Sequence, residues 1–172
     1  TTQSRAKRGN RRLEQRLRMA EFICSCMPLS EYPAREFDEI WKALLINPFH
    51  DILPGSSIHS VYQDTWQQHD DCMKKCDELM EKASMVIFSQ DDQCLVAANC
   101  LSTRFIGAVE LPAGVNSGLI GEDGSIVKVQ SEGGGKAVAL LDIPGNSFVT
   151  LKKSGETPEA SNLREGVPSG LK

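Results

Sequence analysis

Asn47-Pro48-Phe49-His50-Asp51-Ile52-Leu53-Pro54-Gly55-Ser56-Ser57 interrupts the helical part of this chain and decides how its first half folds. A helix cannot run through it, because Pro48 has no N–H and pushes Asn47 away from the α conformation. Pro54-Gly55 then turns the chain, and Ser56 or Ser57 offers a hydroxyl to cap the helix that follows. An imidazole and a carboxylate, His50 and Asp51, thus sit side by side on a stiff segment between two scaffold elements. Binding and catalytic groups favour that placement.

On either side of this segment, apolar residues recur at helical spacing. Leu13, Leu17, Ala20, Cys24 and Met27 form one stripe, which Pro28 and Pro33 end. Phe37, Ile40, Trp41, Leu44 and Leu45 form a second. Ile58, Tyr62, Thr65, His69, Cys72, Cys76, Leu79 and Ala83 form a third. No such stripe can be buried alone, so residues 1–84 are expected to pack as a three-helix antiparallel bundle.

Near Ser84 the character changes. Glycine becomes frequent and short β-branched runs alternate with turn signals. Strands are predicted at about Met85–Ser89, Cys94–Ala98, Phe105–Leu111, Ser125–Gln130, Lys136–Ile143 and Phe148–Lys152. Asp91-Asp92, Asp123-Gly124, Gly133-Gly134-Gly135 and Pro144-Gly145-Asn146 punctuate them. Residues 85–153 therefore read as a small antiparallel β-sheet or sandwich module, and the fold class as α+β. Residues 154–172, rich in Gly, Pro, Ser and Glu, read as an irregular or disordered tail.

Composition narrows the classes. The 172 residues carry a net charge of -4 and are 40% hydrophobic, ordinary for a globular protein. No apolar run nears the roughly 18 residues that span a bilayer. The first residues lack the apolar core of a signal peptide, and a start at Thr1 is expected of a piece of a longer protein. Six cysteines could form three disulfides, but a chain this rich in apolar residues does not need them. Reduced thiols and a cytoplasmic location are expected.

Other constellations have plainer readings. Arg5, Lys7, Arg8, Arg11, Arg12, Arg16 and Arg18 face a single Glu14, yet no aromatic residue interleaves with them before Phe22. Nucleic acid is not the expected partner of an acidic chain. A non-catalytic module binding an acidic partner through the Arg11, Arg12 and Arg16 face is the alternative function. His69, Cys72 and Cys76 share a helix face at spacings that suit zinc, but they also lie in its apolar stripe, so core packing is the reading. Gly133-Gly134-Gly135 lacks the Lys-Ser/Thr ending and following helix of a phosphate loop. His50 and Asp51 supply at most two of the three or four donors that zinc takes from protein.

The run Trp41-Lys-Ala-Leu-Leu-Ile-Asn-Pro-Phe-His-Asp-Ile-Leu-Pro-Gly-Ser-Ser57 resembles the α-mannosidases of glycoside hydrolase family 38, chiefly their cytosolic and bacterial branch. Lys7, Arg8, Asn10, Arg11, Arg12, Leu13 and Glu14 resemble that family's entry to its helical domain, and Val61-Tyr62-Gln63-Asp64 its segment after the loop. Val109-Glu110-Leu111-Pro112 and Val127-Lys128-Val129-Gln130 look like its first β module. Two departures stand out. Pro48 replaces a usual glutamine, and Asn99-Cys100-Leu101-Ser102 stands where Asn-Pro-Leu-Ser is common.

The resemblance implies part of a zinc-dependent retaining α-mannosidase acting on a terminal α-mannoside. His50 would be the zinc ligand and Asp51 the residue that binds hydroxyls of the substrate sugar. An N-terminal α/β domain of the parent chain would supply the nucleophile, the acid/base and the remaining zinc ligands. No catalytic residue of that kind lies in this chain, so alone it is expected to be inactive. No membrane partner is implied. Apolar surface left open without the upstream domain favours self-association into a homo-oligomer.

Overall fold

The computed structural model describes residues 3–88, 91–115, 118–133 and 136–155, which form two compact units divided at positions 90 and 91. Residues 156–172, nearly all of the expected tail, lie outside the described residues, as do Gly134 and Gly135 of the expected glycine turn.

The first unit contains α1 (Ser4–Cys24), a 3-10 turn at Leu29–Glu31, α2 (Ala34–Ile46) and α3 (His59–Ile87). The three apolar stripes meet in one core. Leu13, Leu17, Ala20 and Cys24 lose all accessible surface, and they pack with Phe37, Ile40 and Leu44 of α2 and Cys72, Cys76 and Ala83 of α3. Cross-helix contacts tie α1 to α3 along their lengths: Arg5 with Trp66, Asn10 with His69, Arg16 with Asp77, and the Cys24 thiol with the Leu79 carbonyl. The Trp41 indole Nε1–H of α2 donates to Glu21 Oε1 of α1 at 2.7 Å.

Three expectations need correction. Leu45 and Ile58, counted in the stripes, are 66% and 71% exposed. Leu45 follows Leu44 directly, and neighbours along a helix point about 100° apart, so only one of them can face the core. The strand expected at Met85–Ser89 is absent over Met85–Ile87, which form the last turn of α3. Ala83 remains buried there, and the long helix overrides the β-branched local signal.

The second unit is two antiparallel sheets. β1 (Cys94–Asn99), β7 (Ser147–Lys153), β3 (Leu119–Gly121) and β4 (Ile126–Val127) lie side by side in one; β2 (Phe105–Glu110), β6 (Lys136–Ile143) and β5 (Val129–Gly133) form the other. One core draws on both, with Leu119 and Leu151 from the first sheet and Val129, Ala139, Leu141 and Ile143 from the second. β6 shows why alternation matters: Ala137, Ala139, Leu141 and Ile143 are buried, while the residues between them are partly or fully exposed.

The single strand expected over Ser125–Gln130 proves to be two strands in different sheets, with Lys128 at the crossing. The Lys128 carbonyl already accepts from Leu140 N–H of β6 at 2.9 Å. Asn99, 5% exposed, fastens the end of β1. Its Nδ2 lies within 3.1 Å of the Thr103, Ile143 and Pro144 carbonyls, and its Oδ1 accepts the Leu101 N–H.

Candidate functional site

The loop between α2 and α3 begins with a residue held against its preference. Asn47 lies in the right-handed α region at φ -74 and ψ -25, although it precedes Pro48. Its side chain supplies the compensation. Asn47 is 3% exposed, and its Nδ2 donates to the Ala43 carbonyl at 3.0 Å and to Gln68 Oε1 at 2.9 Å. The helix therefore ends in a fixed direction rather than splaying before the proline.

Backbone turns then carry the chain round. Phe49 N–H donates to the Ile46 carbonyl, and Ile52 and Leu53 N–H both donate to the Phe49 carbonyl. Gly55 takes φ 103, a left-handed conformation that side chains resist. The expected serine cap is absent. Ile58 occupies the cap position of α3 with no side-chain hydrogen bond.

Tyr62 takes over that task. Its hydroxyl accepts the Ser57 N–H at 3.1 Å and donates to the Ile52 carbonyl at 3.2 Å, with the Asp51 carbonyl 3.5 Å away. Tyr62 is only 1% exposed, so one buried phenol clasps both ends of the turn.

His50 and Asp51 project from this support into solvent. Their side chains are 75% and 60% exposed, and His50 Nε2 stands 3.4 Å from Asp51 Oδ2. The His50 ring lies against Phe49 with centroids 4.2 Å apart. An imidazole is a chemically suitable metal ligand. It is also only part of a set: among the described residues, no three His, Cys, Asp or Glu side chains group to hold a metal ion. By themselves these two side chains do not make a metal centre.

The other constellations resolve into structural roles. His69 is 4% exposed and bonds Asn10 Oδ1 through Nε2 at 2.9 Å. Burial pushes its pKa below the ordinary 6.5, with Asp70 opposing. Burial raises the Cys76 thiol to about 12 and the Cys24 thiol to about 11, and both stay protonated in the core. Of the basic face, Arg11 pairs with Glu14 and Arg16 with Asp77, so two of its three named arginines are matched within the chain. Gly9 had no signal in the sequence, yet a Cβ there would collide with the His69 ring.

Around the loop, Leu45, Ile46, Phe49 and Ile58 are all more than half exposed. No helix among the described residues is long and apolar enough to cross a membrane.

Comparison with known proteins relates the chain to a family. Residues 1–87 match the family described as the alpha mannosidase middle domain. Human alpha-mannosidase 2C1 is 25% identical over 157 residues, covering 88% of this chain and 13% of that protein. The alpha-mannosidase of Saccharomyces cerevisiae is 32% identical over 108 residues, covering 59% of this chain and 10% of that protein. This chain thus spans about an eighth or less of these curated relatives. A glycosyl hydrolase family 38 protein from Enterococcus faecalis superposes with a TM-score of 0.70 at 17% identity, over 94% of this chain and 26% of that one. Its fold is shared with that hydrolase, and with half its length matched by the family model this chain belongs to the alpha mannosidase middle-domain family.

Proposed function

We propose that this chain is the helical domain and first β module of a zinc-dependent retaining α-mannosidase. In this reading His50 is one zinc ligand and Asp51 accepts hydrogen bonds from hydroxyls of the terminal mannose. The observation that carries it is the Tyr62-clasped turn, which holds an exposed imidazole and carboxylate outward within the span matched to the middle-domain family.

The nucleophile and the acid/base belong to an N-terminal α/β domain of the longer parent. Bound zinc would supply electrophilic stabilisation of the sugar hydroxyls beside it. A neutral imidazole on a preorganised turn loses little freedom on coordination, and an ionised carboxylate can orient the ring for attack. The exposed Leu45, Ile46, Phe49 and Ile58 give that domain an apolar rim to cover. We read the helices as an antiparallel bundle, because contacts advance together along α1 and α3 while Glu21 meets Trp41 and Asn47 meets Gln68. The buried protonated thiols suit a cytoplasmic parent.

In the parent enzyme, His50→Ala is expected to lower zinc content and abolish turnover of a chromogenic α-mannoside, while this chain alone turns over none. Full zinc occupancy and an unchanged rate in His50→Ala would refute the assignment.

A further inference from the structure

A second concentration of charge lies on residues that the His50-Asp51 loop does not use. Arg5, Arg8 and Arg12 follow at helical spacings of three and four, so they share one side of α1. They line a cavity of about 420 Å³ together with Trp66, His69 and Asp70 of α3.

Local rules oppose this arrangement. Like charges one turn apart repel, and the positive end of a helix dipole disfavours cations. Yet the first turn of α1 holds no acidic residue, and Gln3 at its cap makes no side-chain bond. Arg11 and Arg16 of the same helix have their own carboxylates, whereas among the described residues none pairs with Arg5, Arg8 or Arg12. Departures from local preference without internal compensation mark functional positions.

One further detail describes the missing partner. The Arg5 guanidinium lies 4.2 Å from the centre of the Trp66 ring, which steadies it and leaves its edge donors free for an oxygen-rich anion. Among the described residues Asp70 is the single carboxylate on the lining, so three guanidiniums leave two positive charges uncompensated there. The outward N–H groups of the first helical turn add to the same field.

We propose that this notch binds a phosphate-class dianion, gripped by the guanidinium edges of Arg5, Arg8 and Arg12. A dianion matches the residual charge where one carboxylate would not. The inference stands on the first unit alone and does not depend on the mannoside reading.

The test is a titration of the 172-residue chain with inorganic phosphate at constant ionic strength, followed by amide and indole NMR shifts. Saturable shifts centred on the Trp66 indole and the Gly9 amide are expected. Arg8→Gln and Arg12→Gln should each weaken binding roughly tenfold, as loss of a charged hydrogen bond does. Arg18→Gln, on a residue outside the notch, should bind normally. A parallel titration with glycerol 3-phosphate separates the sources: tighter binding than phosphate assigns an organic monoester, weaker binding the free ion. Shifts that rise linearly and spread over Lys7, Arg11 and Arg18, or folded Arg8→Gln and Arg12→Gln chains that bind like the parent, would overturn the site.

Discussion

At the scale of single residues, the loop depends on one oxygen atom. The Tyr62 hydroxyl satisfies the Ser57 N–H and the Ile52 carbonyl at once, inside the protein. Tyr62→Phe keeps the ring in the core but strands a donor and an acceptor, at a cost of about 1–3 kcal/mol. Urea unfolding should show that loss, and hydrogen exchange at Ser57 should quicken. An unchanged midpoint with an unchanged Ser57 amide would mean that the turn holds itself. Asn47 makes the complementary point. Proline sterics predict a helix end before it, and the chain does turn there, but Asn47 itself stays helical because two side-chain bonds outweigh the local penalty. Such compensation comes from Ala43 and Gln68, and nothing in the residues beside Asn47 announces it.

At the scale of elements, α1 and α3 lie in tight contact where Gly9 meets His69. Gly9→Ala would raise helix propensity by about 1 kcal/mol if space allowed. Here the added carbon meets a buried ring bonded to Asn10, so a net loss of about 1–3 kcal/mol is expected from overpacking. Combining it with His69→Ala should recover part of the loss, and strict additivity of the two would remove the contact as the cause. The helices were legible because a 3,4 spacing of large apolar residues persists over many turns. The strand edges were harder. β3 has only three residues, too few to display a period, and the strand at Ser125–Gln130 looked continuous although it serves two sheets. Which sheet a strand joins is decided by long-range pairing, as in Lys128 with Leu140, and not by its own alternation.

At the scale of the whole molecule, acid should act first through the helical unit. The unfolded chain takes up a proton on His69 near its ordinary 6.5, whereas burial lets the folded chain do so only at lower pH. Between those values the unfolded state binds more protons, so stability falls as pH drops below 6.5 and is insensitive to His69 above it. His69→Gln, which keeps a donor for Asn10, should flatten that decline in thermal unfolding between pH 6.5 and more acid conditions; an identical pH slope would exclude His69 as its origin. The candidate site was legible in outline, since a His-Asp pair on a proline-bounded turn can be read directly. Its support from Tyr62 was not, nor was the approach of Trp66 to Arg5, because both join positions far apart in the chain.

The clasp has a bearing on adaptability. His50 and Asp51 contribute none of the bonds that shape their turn through side chains of their own; carbonyls, amides and a distant phenol do that. Chemistry and scaffold are therefore separable at this spot. New functional groups can be installed at positions 50 and 51 with little penalty to folding, which makes the turn a ready socket for redesigned reactivity.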